Sequence, residues 1–447
     1  MKHTELTVRN YSGFASVVLV LGVVAVGFGA IDLLMIAPKG LSHVAATGQG
    51  DLLITGIYAF FLGVVDVFAS RLAIAEGEGA TERRLLVLVG ALGVLMIPGQ
   101  VLGIALGVVT EPVLDLLGQD PTITPLVGDY VTVRTWAIVP VVAYYVISET
   151  LKIGGLRNLG VAILVGGLAA NAVLNWLFLY SPMEALFDSP ETAVAAATVA
   201  AQFLMAVVGA AVLRSRLRVQ GRRFRRPVGA EVVAEFRSMG RTAPGVGVRH
   251  LNDYAGSLVP ILLIGTLGVP VLAAAVVATK VYTLFCRIPQ ACFSANFVFY
   301  GYAVGKGTDL VSAVRRLRVW SAVPTLAAAV VTVALSYWLV LAFAGDGMDV
   351  GLAQVLLLAY LLYLPAYFVE QFAGELLTVH QRGGLLSVAS TVVTYAMTIP
   401  LASVAVLVGD SAFWAIASKG VSTAVLAAVF WVALRREWPA PRAVAVA

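Results

Sequence analysis

Charged side chains are scarce in this sequence. Only 12% of its 447 residues are Asp, Glu, Lys or Arg, while 60% are hydrophobic. Ordinary soluble domains carry about 25% charged residues. This shortage excludes a typical soluble fold, and the composition predicts an integral membrane protein.

Cysteine and histidine are also rare. The two cysteines, Cys286 and Cys292, lie within one apolar run, where a small core residue is more common than a disulfide. The four histidines are scattered along the chain. The sequence therefore predicts no redox centre, no metal site and no cofactor.

A nucleotide-binding loop is missing as well. The stretch "GYAVGKGT" (301–308) resembles a phosphate-binding loop, but it has three residues rather than four between its glycines, and Gly follows the Lys. ATP hydrolysis within the chain is therefore not expected. A membrane-embedded enzyme would need a reactive cluster and usually a long structured loop; since the sequence offers neither, we predict that the protein is not an enzyme.

Long apolar runs are abundant. A run of about 20 residues is long enough to cross a hydrocarbon core of about 30 Å as a helix. The twelve predicted spans lie near 12–37, 50–75, 85–109, 127–152, 159–180, 192–214, 242–266, 272–301, 319–343, 351–377, 385–408 and 412–435. The predicted fold class is an all-α integral membrane protein with twelve transmembrane helices.

The basic residues are unevenly distributed between the two sides of this predicted weave. Arg and Lys concentrate on one side, above all in "RSRLRVQGRRFRR" (214–226), whereas the opposite connections carry mostly Asp and Glu, with Lys39 the main exception. The positive-inside rule then predicts an inner (plasma) membrane protein with both termini in the cytoplasm. The basic run is interpreted as a membrane-proximal loop rather than a nucleic-acid patch, so no nucleic-acid partner is expected.

The two halves of the chain resemble each other. The matching segments are "KGLSHVAA" (39–46) with "LGVPVLAA" (267–274), "GEG" (77–79) with "GKG" (305–307), and "SETL" (148–151) with "GELL" (374–377). Their offsets of 228, 228 and 226 residues keep order and spacing over more than a hundred residues. Such a duplication is typical of transporters built from repeated half-units.

The repeat predicts the domain organisation. An N-terminal lobe (1–213) holds helices 1–6, a basic cytoplasmic linker follows (214–241), and a C-terminal lobe (242–447) holds helices 7–12. Because six is an even number, both lobes enter the membrane from the same side, and the repeats are parallel. We expect a cavity between the lobes that suits alternating access.

Four segments, taken in order, carry a resemblance to a known family. They are "IDLLMIAPKGLSHVAATGQG" (31–50), "LLGQDPTITPLVGDYVTVR" (116–134), "NAVLNW" (171–176) and "TLGVPVLAAAVVA" (266–278). Together they resemble the multidrug and toxic compound extrusion (MATE) family, and the resemblance covers nearly the whole chain. It implies a secondary antiporter, predicted to be a monomer, that exports organic, often cationic or amphipathic, small molecules in exchange for H⁺ or Na⁺.

The sequence departs from the family pattern in both lobes. Asn175 stands where one branch of the family has an ion-binding Asp, which favours H⁺ over Na⁺ as the coupling ion. In helix 10, Ala366 stands where another branch has an Asp, while Glu370 lies one turn further on. A flippase or exporter of a lipid-linked saccharide or a peptide natural product, with the same fold, is the alternative function; Lys280 and Arg249 keep it open, because such a cargo would need a more cationic cavity.

Asp32 is the main candidate for ion coupling. It lies about twenty residues into helix 1, and a charged side chain at mid-bilayer costs about 2.5 to 3.5 kcal/mol. Asn171 and Asn175 are four residues apart and share one face of helix 5. Their amide groups can coordinate a cation or donate hydrogen bonds to Asp32. Contact between helices without any ion fits Asn175 equally well and fits Asn171 less well.

A second group of candidates is assigned to the substrate cavity or to a polar site in the second lobe. Its members are Asp66, Asp253, Lys280, Tyr367 and Glu370. Alternative roles stay open for each of them: Asp66 can pair with Arg71, the second-lobe charges can neutralise one another, and Tyr367 can serve in aromatic packing.

Overall fold

The structure is a computed structural model that describes residues 5–116, 121–219, 226–343 and 349–437. Within these ranges every regular element is helical. The first nine α-helices are α1 (Val8–Ile36), α2 (Leu41–Gly77), α3 (Thr81–Val108), α4 (Thr110–Leu116), α5 (Thr124–Thr135), α6 (Ile138–Ile153), α7 (Arg157–Tyr180), α8 (Pro190–Val219) and α9 (Gly229–Ile264). The others are α10 (Val269–Lys306), α11 (Leu310–Ala334), α12 (Ser336–Leu341), α13 (Val350–Leu362), α14 (Leu364–Val379), α15 (Gly383–Val393), α16 (Ile399–Leu407), α17 (Ala412–Ala417) and α18 (Lys419–Glu437).

The helices account for all twelve predicted spans. In the described part of the chain, nine helices are long and apolar enough to cross a membrane, and the bent pairs α5–α6 and α13–α14 raise the number to eleven. The remaining predicted span, 242–266, lies in α9, where Arg249, Asn252 and Asp253 lower the hydropathy. The prediction of an all-α, multi-pass membrane protein is confirmed.

Two spans are bent in their middle. The bend is 47° between α5 and α6 and 46° between α13 and α14. At the first bend the backbone groups freed by the break are satisfied by Gln100 of α3. Its side-chain amide donates to the Thr135 carbonyl at 2.9 Å, and its side-chain oxygen accepts from the Val139 N–H at 3.3 Å. The bend is therefore stable inside an apolar layer, where an unpaired backbone group would be costly.

Residues with positive φ occur in the turns at matching positions of the two halves. Six of the described residues with positive φ form three pairs, namely Gly40 with Gly268, Gly79 with Gly307, and Gly155 with Gln381. Their offsets of 228, 228 and 226 residues equal those of the sequence matches. In the first pair, a short 3-10 turn precedes each glycine. The repeated sequence thus specifies repeated turn geometry.

The helices form two compact units. The first comprises Val20–Gly240, and the second combines the beginning of α1, up to Leu19, with the chain from Arg241 onward. Of the predicted linker (214–241), residues 220–225 lie outside the described residues; α8 continues to Val219 before that segment, and α9 begins at Gly229 after it.

Each unit has its own buried contacts. In the first, Ile36, Ile54 and Tyr130 belong to a cluster that joins α1, α2, α5 and α8. In the second, the Tyr11 hydroxyl donates to the Asn296 side-chain oxygen at 2.9 Å. This bond ties the first turns of α1 to α10, in the same unit.

Candidate functional site

Asp32 lies one turn before the end of α1 and is completely buried. Its carboxylate accepts hydrogen bonds on both oxygens. The Asn175 amide of α7 donates to Oδ1 at 2.7 Å, and the Thr198 hydroxyl of α8 donates to Oδ2 at 2.8 Å. A buried carboxylate is tolerated only with such partners, because an isolated ion would have a prohibitive desolvation cost.

Asn171 reaches the same carboxylate through Thr198. It precedes Asn175 by one helical turn, so both amides lie on one face of α7. The Asn171 amide donates to the Thr198 hydroxyl at 3.0 Å, and that hydroxyl donates onward to Asp32. The side-chain oxygens of both asparagines are buried and accept no hydrogen bond from the described residues. The site therefore holds two unused acceptors beside the carboxylate.

A guanidinium is shared between two acidic side chains. Nη1 of Arg134 lies 3.5 Å from Oδ2 of Asp32, and Nη2 lies 3.6 Å from Oδ1 of Asp51. The Asp51 side chain is 35% exposed, whereas that of Asp32 is 1% exposed. Arg134 thus links a fully buried carboxylate to a partly exposed one.

Two tyrosines hold Arg134 in place. Its Nη1 donates to the Tyr130 hydroxyl at 3.1 Å, and its guanidinium lies 5.5 Å from the centre of the Tyr130 ring and 5.9 Å from that of Tyr58. The Tyr58 hydroxyl donates to the Arg134 carbonyl at 2.9 Å. Because both rings present their electron-rich faces, they stabilise a cation that has lost its water.

The charges of this cluster do not cancel. Asp32 and Asp51 supply two carboxyl groups, and Arg134 supplies one guanidinium. With both acids ionised the net charge is −1, and uptake of one proton or one monovalent cation makes the cluster neutral. Unbalanced charge is costly for the buried part of such a cluster.

In the second unit, Glu370 belongs to a buried cluster on α14. Nη2 of Arg249, on α9, lies 3.4 Å from Oε1 of Glu370, and its Nη1 lies 3.5 Å from Oε1 of Glu375. The Gln371 amide donates to the second oxygen of Glu370 at 2.7 Å. One guanidinium again bridges two carboxylates, and Gly374 makes room for it because a side chain there would collide with the guanidinium.

The other candidates of the second unit differ from one another in their exposure and their contacts. The Asp253 side chain is 50% exposed and lies 3.7 Å from the Lys419 ammonium. Lys280 is exposed on α10. Tyr367 is buried, with its ring centre 6.1 Å from that of Phe293.

Asp66 is half-buried on α2, fifteen residues after Asp51 of the same helix. Arg71, five residues after Asp66, forms an ion pair with Glu235 of α9 and donates to the Ser238 hydroxyl at 3.0 Å. The described residues contain no group of three or more His, Cys, Asp or Glu side chains that could hold a metal ion.

Comparisons with known proteins find similarity to one family. The family model MatE matches residues 19–177, the stretch that contains Asp32, Arg134, Asn171 and Asn175. The chain is 29% identical over 298 residues to the "Probable multidrug resistance protein NorM" of Rhizobium meliloti (strain 1021). This chain is similar to proteins of the MATE family. The match to NorM covers 64% of this chain and 60% of the relative, so the chain spans less than two thirds of that protein's length.

Solved MATE structures share the fold. The Vibrio cholerae MATE transporter VcmN superposes with a TM-score of 0.79 at 14% identity, with 98% of each chain covered. A eukaryotic MATE transporter gives a TM-score of 0.80 at 15% identity, with 95% of this chain and 94% of the other covered. At such low identity the likeness shows the fold alone, and it agrees with the predicted fold class.

Sequence reasoning missed three members of the Asp32 cluster, namely Asp51, Arg134 and Thr198. Arg134 had a usable signal: it follows Tyr130 by four residues in "LLGQDPTITPLVGDYVTVR", so both side chains lie on one helical face. Thr198 had none, because a threonine in a helix commonly bonds to the carbonyl one turn earlier and needs no other role.

Proposed function

We propose that this protein is a transporter of the MATE type, a secondary active antiporter that exports organic, cationic or amphipathic compounds by alternating access, with H⁺ as its coupling ion. The supporting observation is the Asp32 cluster, in which the buried Asp32 carboxylate shares the Arg134 guanidinium with Asp51. With both acids ionised, the cluster has a net charge of −1. An ionisable side chain at membrane depth is expected to mark an ion path.

The donors around Asp32 favour a proton over sodium. Oδ1 faces the Asn175 amide nitrogen, while Oδ2 faces the Thr198 hydroxyl and the Arg134 guanidinium. Sodium would need several oxygen ligands at short range, and it would have to approach the carboxylate beside a fixed cation. A proton needs a single lone pair, and after its uptake the carboxyl can donate to one of the unused asparagine oxygens.

Proton uptake would loosen the contact between α1 and α5. A neutral Asp32 attracts Arg134 less, so the guanidinium is free to follow Asp51 at the more exposed end of the cluster. In the proposed cycle this change biases the protein between states open to opposite sides of the membrane, which is what an antiporter requires of its ion. A potential of 100 mV supplies about 2.3 kcal/mol per charge for the exchange.

The proposal also includes the membrane, the oligomeric state, the topology and the class of transported compound. We place the protein in the plasma (inner) membrane as a monomer with both termini in the cytoplasm, since the basic connections share that side. The class of cargo is supported by the name of the NorM relative, which describes that protein as a multidrug resistance protein.

Inverted vesicles test the proposal. Uptake of a fluorescent organic cation such as ethidium is measured after a pH jump and, separately, after a sodium jump, with empty vesicles as the control. We expect the pH gradient alone to drive uptake. Uptake driven only by sodium would contradict the coupling ion, and dependence on ATP would contradict secondary transport.

A further inference from the structure

A large groove opens on the first unit, away from the Asp32 cluster. Its volume is about 1270 Å³, and it is bounded by one face each of α3, α6 and α8. Most of its walls are aliphatic, with Leu92, Ile97 and Val142 among the lining residues. Cavities of this size accept drug-sized or larger ligands.

The polar atoms inside the groove are already bonded within the protein. Gln100 bonds to the backbone at the bend between α5 and α6, and the Thr150 hydroxyl donates to the Val146 carbonyl at 2.7 Å. The walls consequently offer no free directional partner, so they suit a hydrocarbon chain.

One end of the groove is basic. Arg214 and Arg218 lie one turn apart near the end of α8, Arg226 precedes α9, and all three side chains are exposed. No carboxylate of the described residues pairs with any of them. The alternating direction of the spans puts the beginning of α3 and the end of α6 on the same side as the end of α8. Leu85 and Thr150, from those two segments, also line the groove.

The dimensions fit one leaflet of a bilayer. Leu85 and Val101 both line the groove and are sixteen residues apart on α3, a rise of about 24 Å along the helix. Half of the hydrocarbon core is about 15 Å thick, which leaves room for a glycerol and headgroup region. The geometry points to a binding site for an anionic phospholipid, with its acyl chains against α3 and α6 and its phosphate on Arg214, Arg218 and Arg226.

Native mass spectrometry of the purified full-length protein tests this site. Dioleoylphosphatidylglycerol and dioleoylphosphatidylcholine are titrated separately, and the lipid concentration for half-occupancy is compared. We expect the anionic lipid to bind more tightly. The double variant Arg214→Gln/Arg218→Gln should weaken its binding about thirty-fold and erase the preference. The matched variant Arg315→Gln/Arg316→Gln, on the exposed face of α11, should leave both unchanged.

A second pair of variants tests the walls. Gly93 lines the groove, and a Cβ added there meets nothing within 4 Å, so Gly93→Phe introduces a ring into the space for the acyl chains. We expect it to weaken both lipids. Gly166→Phe, at an equally open position on α7, is the control. If Gly93→Phe does not fold, Val89→Phe on the same wall replaces it.

Other occupants of the groove would give different results in these binding experiments. Displacement of the lipid by glycerol 3-phosphate at equal concentration would mean an anion site alone, and retention of ethidium in place of lipid would mean a drug pocket. Equal binding of the two lipids, or no effect of the arginine or Gly93 variants, would also overturn the proposal. None of these outcomes depends on the coupling ion.

Discussion

The Arg134 guanidinium lies 3.5 Å from one oxygen of Asp32, and both side chains are almost completely buried. The two residues are 102 positions apart in the sequence and come from α1 and α5. Because Arg134 also approaches Asp51, it connects the buried acid with a half-exposed one. This relationship makes Asp32 part of a three-charge cluster rather than an isolated carboxylate.

Removal of Arg134 should destabilise the protein. Arg134→Met leaves a carboxylate buried without a compensating charge, which typically costs about 3–5 kcal/mol. The combination with Asp32→Asn should recover much of that loss, since no unpaired ion then remains in the core. The thermal unfolding midpoints of wild type, the two single variants and the double variant form the double-mutant cycle that measures this coupling.

Arg83→Met is the matched control for that cycle. Arg83 is exposed on α3, and surface substitutions usually change stability by less than about 0.5 kcal/mol. Additive effects of Arg134→Met and Asp32→Asn would show that the two side chains do not interact, in conflict with the ion pair.

Asn175 should determine which ion is used. Its amide lies 2.7 Å from Asp32, so Asn175→Asp places a second carboxylate against the first. Two adjacent carboxylates repel each other, so either one of them takes up a proton or the pair binds a cation. We therefore expect this variant to gain sodium-stimulated transport that the wild type lacks, as measured by dye uptake into inverted vesicles.

Asn171→Asp serves as the comparison, because Asn171 contacts Asp32 only through Thr198. It should gain less sodium dependence than Asn175→Asp. Sodium stimulation of the wild type equal to that of Asn175→Asp would contradict the role given to the amide.

The sequence predicted the acid of the site but not its partners. Asp32 stands out because about twenty apolar residues precede it, and the helical spacing of Asn171 and Asn175 is visible in the sequence alone. Thr198 is 166 residues away from Asp32. Its position is decided by the packing of α8 against α7, and a single sequence does not contain that information.

The fold, like the site, was predicted from the sequence only in part. Hydropathy located the spans because each must match the thickness of the membrane. It did not reveal the bend between α5 and α6, because the side chain that stabilises the bend, Gln100, belongs to another helix. Likewise α9 begins at Gly229, before the predicted span at 242, because its first turns are too polar for a hydropathy signal.

The repeated turns predict a backbone effect. Gly79 has φ +68°, and a side chain added there meets nothing within 4 Å. Gly79→Ala should nevertheless lower the free energy of unfolding by about 1 kcal/mol, because left-handed backbone is unfavourable for a residue with a Cβ. Its repeat mate Gly307, also at φ +68°, should respond in the same way.

The control for these turns is Gly229→Ala. Gly229 is equally open, but it begins α9 without a positive φ. Thermal unfolding of the three variants separates backbone strain from loss of space. An effect of Gly229→Ala as large as that of Gly79→Ala would rule out the conformational explanation.

The decisive measurement is pH-driven dye transport by Asp32→Asn in proteoliposomes. Asparagine keeps the size of the side chain and can still hydrogen-bond to Asn175 and Thr198, but it cannot exchange a proton. We expect driven transport to be lost while expression, thermal stability and dye binding persist. Transport at the wild-type rate in Asp32→Asn would contradict the assignment of ion coupling to this carboxylate.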